Sequence, residues 1–181
     1  TNPDSKSARQ ALEKNRSLSV RPIREAVASA EVVFLAVPFQ AIESVLHEAG
    51  DLSTKILVDC TNPVGPGVTH GLKSEISGGE YIQNLAPEAR VVKAFSIYGY
   101  ENFQDNAYPG YGELRPAMLI AGNDVAAKKV VGDLCNELGW ETVDTGGILM
   151  SLHLEHMTLL WINMARVQGR GTGFVWGMLR R

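Results

Sequence analysis

The stretch VVFLAVP, residues 32–38, decides the fold. Six apolar residues stand in a row, several of them β-branched, and Pro38 ends the run. A continuous apolar run of this length is typical of a strand that is buried on both faces. Strands of this kind occur almost only in parallel sheets that are covered by helices on both sides. The stretch therefore predicts an α/β protein.

Outward from this run, shorter apolar runs alternate with segments of helical pattern. The further strands are predicted at residues 56–58, 91–95, 117–121 and 141–144, with a very short one at 18–20. Helices are predicted at residues 5–14, 22–30, 39–49, 82–85 and 124–138, and a long final helix follows Gly146 and Gly147. Strands that alternate with helices predict a Rossmann-like, doubly wound and mostly parallel sheet with a long C-terminal helix.

The predicted domain boundary lies immediately before the final helix. Residues 1–146 are expected to form a Rossmann-type dinucleotide-binding domain, and residues 147–181 a C-terminal helix and tail. The helix is apolar on several sides, which predicts that it lies at a subunit interface or in the wall of a pocket. Residues 63–71 and 98–115 are predicted to be loops. The glycine-rich segment 169–173 follows a helix and precedes no strand, so it is interpreted as a helix stop, not as a phosphate-binding loop.

Composition limits the possible partners. The chain has 181 residues, a net charge of −3 and no cluster of Lys and Arg, which excludes the basic face that nucleic-acid binding needs. The most apolar stretch, residues 149–167, is broken by charged and polar side chains, so no membrane span is expected. Two cysteines fit a reducing compartment. A cytoplasmic protein without nucleic-acid or membrane partners is expected.

The carboxyl ends of the predicted strands suggest the chemistry. In an open α/β sheet, ligands bind at these ends, which here read AVPF at 36–39, CTNP at 60–63 and FSIYG at 95–99. Small residues and prolines allow a flat ring to lie close to the backbone, and Thr61, Asn62 and Ser96 offer hydrogen bonds to an amide and a ribose. Such a site suits a nicotinamide, because hydride transfer needs close approach and exclusion of water more than it needs a protein acid.

Several blocks of the sequence together resemble the coenzyme F420-dependent NADP oxidoreductase family. The resemblance covers essentially the whole chain in order and spacing, and the combination of blocks is more specific than any single one. The blocks are VFLAVP at 33–38, DCTNP at 59–63, VKAFS at 92–96, MLIAGND at 118–124 and LGWETVDTG at 138–146, with LE at 154–155 and LLWI at 159–162 resembling the closing helix of that family.

The resemblance implies a Rossmann domain that binds NADP(H). Hydride would pass to or from coenzyme F420, which is a deazaflavin, or a flavin or a similar two-electron acceptor. The resemblance also implies a homodimer, in which the last helix contributes to the interface or to the acceptor pocket. No catalytic or metal-binding side chain is implied. The implied cofactor-binding residues are Ala36, Val37, Pro38, Thr61, Asn62, Pro63, Ala94 and Phe95 at the strand ends, and Thr1, Asn2 and Lys6 near the 2′-phosphate.

The sequence departs from the family at its start. Members of the family begin with a strand, the motif G-x-G-x-x-G, a helix and a second strand, and that whole unit is missing from this sequence. The sequence is therefore interpreted as truncated or incomplete. Because those glycines allow the backbone to approach the pyrophosphate, a protein that lacked them is expected to bind a dinucleotide poorly.

Some conspicuous side chains are given structural roles. Cys60 has no assignable His and acid partner, so a small buried filler is favoured over a nucleophile. His153 and His156 have a spacing that can ligate a metal, but no third ligand is evident. Glu155 is expected to bond backbone or a partner chain, and His70 to be an ordinary surface residue. The tyrosines of segment 98–111 either stack on an acceptor or pack their own loop.

Three functions remain open from the sequence. The first is an NADP-dependent reductase that uses a flavin-like acceptor and needs few or no proton-transferring side chains. The second is a cofactor-deficient Rossmann remnant that acts as an interaction or regulatory module through its last helix. The third is a related dehydrogenase of a small carbonyl or imine substrate. That reaction would require an acid, for which Lys93 is the obvious strand-borne candidate.

Overall fold

The computed structural model describes residues 5–181. Within that range the strands are β1 (Val32–Leu35), β2 (Ile56–Asp59), β3 (Val64–Gly65), β4 (Thr69–His70), β5 (Arg90–Lys93), β6 (Ala117–Gly122) and β7 (Glu141–Asp144). The helices are α1 (Lys6–Lys14), α2 (Ile23–Ser29), α3 (Ile42–Ala49), α4 (Gly78–Leu85), α5 (Tyr100–Gln104), α6 (Val125–Glu137) and α7 (Ser151–Ile162). Strands and helices alternate along most of the chain, as an α/β fold requires.

Five strands form one sheet in the order β1, β2, β5, β6, β7. β1, β2 and β5 are parallel neighbours, and β6 and β7 are parallel to each other. Between these two groups, β5 and β6 pair antiparallel. The prediction of a Rossmann-like, mostly parallel sheet is confirmed. The detail that the last two strands run against the first three was not predicted.

Each face of the sheet carries its own hydrophobic core, because successive side chains of a strand point to opposite faces. Leu57 and Val91 pack with side chains of α2, α3 and α4 on one face. Val58 and Val92 pack with side chains of α6 and α7 on the other. The apolar runs of the sequence are therefore covered on both sides, and the fold is doubly wound.

Local signals fix where the helices begin. The Ser77 hydroxyl accepts a hydrogen bond from the backbone N–H of Glu80, and the Glu80 carboxylate accepts one from the backbone N–H of Ser77. This reciprocal capping box holds the start of α4. Asp124, one of the two capping residues that the sequence offers beside Asn123, caps α6 by accepting from the backbone N–H of Ala127.

Two strand predictions need correction. Residues 18–20 form no strand: Leu18 and Val20 are 48% and 42% exposed, and the segment pairs with no strand that the structure describes. Two apolar residues, one on either side of Ser19, were not a sufficient signal, because β preference depends on the neighbouring strands. β1 ends at Leu35, two residues before the predicted end, since its neighbour β2 ends at the opposite residue, Asp59.

Both predicted loops contain regular structure. The first includes the β3–β4 hairpin and the second includes α5. The hairpin strands have two residues each and α5 has five. Elements of this length are too short to show a hydrophobic period, which explains why the sequence did not reveal them.

The chain after α7 turns back to the sheet. A π-helical turn, Asn163–Val167, extends α7, and the backbone N–H groups of Arg170 and Gly171 then bond to carbonyls of the last turns. Gly171 has a φ of 78°, a left-handed value typical of a helix stop, as predicted for this glycine-rich segment. The tail continues to Trp176, whose carbonyl accepts from the backbone N–H of Ala117. The division of the chain at residue 146 stays a prediction.

None of the helices formed by residues 5–181 has the length and apolar character needed to cross a membrane.

Candidate functional site

The carboxyl ends of β1, β2 and β5 lie side by side at one edge of the sheet. The register pairs Leu35 with Asp59, and Asp59 with Lys93. The segments that follow, residues 36–39, 60–63 and 94–99, therefore leave the sheet at the same edge, which we call the carboxyl edge. β6 runs in the opposite direction, so its first residues also lie there. The juxtaposition of strand ends that the sequence predicts is observed.

A cleft of about 520 Å³ opens at the carboxyl edge. Its volume falls within the range of about 300–1,000 Å³ that is usual for small-molecule sites. Aromatic rings form most of its wall, and two asparagines supply amide groups. The lining residues are Phe34, Ala36, Cys60, Asn62, Phe95, Tyr98, Tyr100, Phe103, Asn106, Leu138 and Trp140.

Ala36, Asn62 and Phe95, all predicted to bind cofactor, line this cleft together. They come from three different strand ends, and the parallel register brings them to one place. Ala36 is exposed, and the other two are half-buried. Thr61 and Ala94 lie behind the cleft, 3% and 0% exposed. A ligand in the cleft would therefore contact side chains from each of the three segments.

The other predicted residues lie around the cleft or away from it. Val37 packs against the core formed with α2, α3 and α4. Pro38 is exposed and precedes a 3₁₀ turn, Phe39–Ala41. Pro63 lines a separate hollow of about 270 Å³. Lys6 is exposed on α1, while Thr1 and Asn2 lie outside the described residues.

The sequence analysis named Phe95, Tyr98 and Tyr100 as possible ligand contacts but did not reveal Phe34, Phe103 or Trp140 as part of the aromatic wall. Phe34 alternates with the core residue Leu35 along β1 and so faces the cleft side of the sheet. Tyr98 and Trp140 stack, with ring centroids 5.3 Å apart and an interplanar angle of 21°. Their proximity follows from the antiparallel pairing of β5 and β6, which places the start of β7 at the carboxyl edge. That pairing had no signal in the sequence.

Asn62 is fixed by two neighbours at the edge of the cleft. Its Nδ2 donates to the carbonyl oxygen of Ser96 at 2.9 Å. Its Oδ1 accepts from the Thr158 hydroxyl of α7 at 3.0 Å, and that hydroxyl also lies 2.8 Å from the Ser96 carbonyl. A side-chain amide has two N–H donors, so one remains available to a ligand.

Phe95 has an unusual backbone. Its φ of 52° lies in the left-handed region, which is uncommon for a residue with a bulky side chain. The ring packs against Phe34 and Phe103, with centroid distances of 5.7 and 5.9 Å. The backbone N–H of Phe95 points to the Met118 sulfur at 3.2 Å. Residues in strained backbone conformations persist only where the surrounding structure holds them, and they occur often at ligand sites.

Cys60 lines the cleft but is a poor nucleophile. Burial raises the pKa of its thiol to about 12, with the neighbouring Asp59 carboxylate as a further cause. Because the thiolate is the reactive form, the thiol is essentially inert at neutral pH. The sequence predicts a buried filler, whereas Cys60 is half-buried at the cleft wall, so its structural role stays a prediction.

Below the cleft, three charged side chains form a buried network. The Lys93 ammonium lies 2.8 Å from Asp59 Oδ2 and 2.9 Å from Glu155 Oε1, and all three residues are at most 1% exposed. Burial alone would lower the pKa of Lys93, but the charges of Asp59 and Glu155 outweigh it and raise that pKa. Burial would likewise raise the pKa of Glu155, but Lys93 and the hydrogen bond from His70 lower it.

Glu155 binds backbone N–H groups, as the sequence predicts. Its carboxylate accepts from Gly78 at 3.0 Å and from Gly79 at 3.3 Å, at the start of α4. The prediction for His70 is wrong. His70 is buried, and its Nε2 lies 2.8 Å from Glu155 Oε2, while its Nδ1 accepts from the backbone N–H of Ser74. His70 belongs to the two-residue strand β4, and an element this short gives no sequence signal of burial.

With this geometry established, the chain can be compared with known proteins. Residues 1–63 match the model of a family described as "NADP oxidoreductase coenzyme F420-dependent". Over 158 residues the chain is 30% identical to the F420-dependent NADP reductase of Methanocaldococcus jannaschii, an alignment that covers 83% of this chain and 69% of that protein.

Two further proteins are similar. The rat metalloreductase STEAP3 is 32% identical over 135 residues, which cover 75% of this chain and only 26% of STEAP3. The crystal structure of a candidate F420-dependent NADP reductase from Arthrobacter sp. FB24 superposes with a TM-score of 0.83 at 28% identity, over 98% of this chain and 83% of that one. Both the sequence and the fold are thus shared with proteins of this kind.

Proposed function

Because the chain belongs to the coenzyme F420-dependent NADP oxidoreductase family, we propose that it transfers hydride between NADP(H) and a flavin-like two-electron acceptor. The observation that carries the proposal is the aromatic cleft at the carboxyl edge, to which three parallel strand ends contribute Ala36, Asn62 and Phe95. The acceptor class comprises deazaflavins such as coenzyme F420, and flavins.

The cleft fits a nicotinamide ring in shape and chemistry. Its walls are flat aromatic side chains, and the exposed Ala36 leaves open space beside the backbone. The free N–H of the Asn62 amide can bond a carboxamide oxygen, and the bonds to Ser96 and Thr158 hold it in one orientation. When bound, the nicotinamide would supply or accept the hydride.

The protein's own part in the reaction would be positional. Aromatic walls exclude water from the reacting rings, and a fixed amide sets the face that is presented. Lys93, the candidate acid of the alternative carbonyl or imine dehydrogenase, is 0% exposed and bonded to two carboxylates. It cannot deliver a proton to a substrate in the cleft, so that alternative loses its acid.

We also propose that the protein is a homodimer and that α7 contributes to the interface. Leu149, Leu160 and Val167 are 68%, 51% and 60% exposed. Leu160 lies within α7, whereas Leu149 lies in the 3₁₀ turn that precedes it and Val167 in the π-helical turn that follows it. Large apolar side chains that are exposed in a helix and in the turns at both of its ends are typical of contact surfaces.

A redox assay tests the proposed reaction. Purified protein is mixed with NADPH, and absorbance at the nicotinamide band is followed with coenzyme F420, with a free flavin, with a small carbonyl compound and with no acceptor. We expect oxidation only with the deazaflavin or the flavin. Oxidation by the carbonyl compound alone would favour the dehydrogenase, and a protein that does not bind NADPH at all would favour an interaction or regulatory module.

A further inference from the structure

None of Asp59, Lys93 and Glu155 lines the cleft, yet this buried network bonds to Thr61 at the carboxyl edge. We propose that Lys93 is a positioning residue, whose ammonium holds the backbone carbonyl of Thr61 and thereby sets the position of Asn62 in the cofactor cleft. This inference rests on the proposed function for its consequence in catalysis. The contacts by which Lys93 and Asp59 hold Thr61, which we call the tether, do not depend on the proposed function.

The Lys93 ammonium uses all three of its donors. Two of them meet Asp59 and Glu155, which supply the opposite charge. The third meets the carbonyl oxygen of Thr61 at 2.6 Å. An apolar side chain at position 93 could not donate a hydrogen bond to this carbonyl. The lysine therefore provides a fixed donor to the turn that follows β2.

The turn after β2 is held on its other side by Asp59. One oxygen of that carboxylate binds Lys93, and the other accepts from the backbone N–H of Thr61 at 2.8 Å and from its hydroxyl at 2.7 Å. Thr61 is thus fixed through its N–H, its hydroxyl and its carbonyl. The next residue is Asn62, whose amide lines the cleft.

Glu155 connects the same tether to α7 and to α4. Its carboxylate lies at the N-terminus of α4, where the N–H groups of Gly78 and Gly79 and the His70 ring compensate the second negative charge. The glycines allow this close approach. A Cβ on Gly79 would overlap the Ser151 hydroxyl, and one on Gly78 would lie 3.1 Å from Glu155 Oε1.

The alternative is that the network only stabilises the fold. Replacing all members of a buried charge network by neutral side chains is often tolerated, whereas removing one member leaves an unpaired buried charge. Stability and positioning can therefore be separated. In the triple variant Asp59→Asn/Lys93→Met/Glu155→Gln no charge is unpaired, and the amide oxygen introduced at position 59 can still accept from Thr61, whose carbonyl has lost its donor. The amide introduced at position 155 has one oxygen in place of two, so one of the acceptors for the N–H groups of Gly78 and Gly79 is also lost, at the start of α4 and away from the turn after β2.

The experiment compares the full-length protein with Lys93→Met, the triple variant and Lys128→Met. Lys128 is a matched control, because it also bonds a carboxylate and a backbone carbonyl, those of Asp144 and Gly146, but at the opposite edge of the sheet. Three readouts are taken: thermal unfolding, amide hydrogen exchange of the peptide that contains Thr61 and Asn62, and the NADPH Kd with kcat and KM.

We expect Lys93→Met to unfold at a much lower temperature and the triple variant to recover most of that loss. In the triple variant, exchange in the 61–62 peptide should still be about tenfold or more faster than in the wild type, and kcat/KM should fall about 10- to 100-fold, because small misplacements of positioning groups carry costs of this size. Lys128→Met should leave exchange in that peptide and the NADPH Kd unchanged.

Other outcomes separate the two proposals. A triple variant that exchanges and binds NADPH like the wild type, or that stays as unstable as Lys93→Met, overturns the positioning role. If the wild type itself fails to bind NADPH, the proposed function fails. The exchange data alone then decide whether Lys93 holds the turn, with wild-type exchange in the triple variant overturning the inference.

Discussion

Phe95 holds a backbone conformation that costs free energy, at the point where β5 reaches the cleft. The left-handed region is less favourable by about 1–2 kcal/mol for a residue with a Cβ, and φ of Phe95 is 52°. The contacts of its ring with Phe34 and Phe103 offset that cost. The same ring forms part of the cleft wall.

This strain can be measured by comparing Phe95→Gly with Phe95→Ala. Both substitutions remove the ring, but only alanine retains a Cβ in the left-handed region. We therefore expect the glycine variant to be the more stable by about 1 kcal/mol in urea unfolding. The opposite order, with alanine more stable, would show that residue 95 does not need a left-handed backbone.

At the residue scale, the sequence predicted some roles and missed others for clear physical reasons. The bonding of Glu155 to backbone could be predicted and is observed, whereas the structural role of Cys60 stays a prediction. The pairing of Lys93 with Glu155 could not be predicted. The two residues are 62 positions apart, and only the packing of α7 against the carboxyl edge brings them together.

At the scale of elements, α7 has two faces with different roles. Leu154, Glu155, Thr158 and Trp161 are buried against the sheet and α4, whereas Leu160 lies on the exposed face. The inner face carries Glu155, which belongs to the charge network, and Thr158, whose hydroxyl bonds to Asn62. The outer face is the proposed dimer contact.

Leu160→Glu tests the outer face of α7. A charge at an apolar contact would be desolvated on association, so we expect the variant to sediment as a monomer at concentrations where the wild type is a dimer. Val125→Glu is the control, since Val125 is 77% exposed at the start of α6. A wild type that sediments as a monomer, or a Leu160→Glu variant that remains a dimer, would contradict the proposed interface.

Strands with a continuous apolar run could be predicted from the sequence, and the short elements without such a run could not. The apolar runs of β1, β2, β5 and β6 are flanked by proline, glycine or capping residues, and each of them is a strand. The β3–β4 hairpin and α5 lie in segments whose glycine, proline and asparagine content predicts loops. The direction of β6 was also missed, because strand pattern carries no information about which neighbour is antiparallel.

At the scale of the whole molecule, the fold brings the candidate cofactor-binding residues together at the carboxyl edge of the sheet. The family resemblance drawn from the order of the sequence blocks is confirmed by the match of residues 1–63 and by the relatives. What the blocks could not show is how the antiparallel half of the sheet closes the cleft. Trp140 and Tyr98 reach it because β6 and β7 begin where β1, β2 and β5 end.

The central claim is that NADP(H) lies against the carboxyl edge. The most direct measurement is the Kd for NADPH by isothermal titration calorimetry of the wild type, Ala36→Trp and Ala126→Trp. Both alanines are exposed, but Ala36 lines the cleft and Ala126 lies on α6. We predict that the indole at position 36 fills the space for the nicotinamide and raises the Kd about tenfold or more, while the indole at position 126 has no effect. Equal affinity in all three proteins would contradict the account.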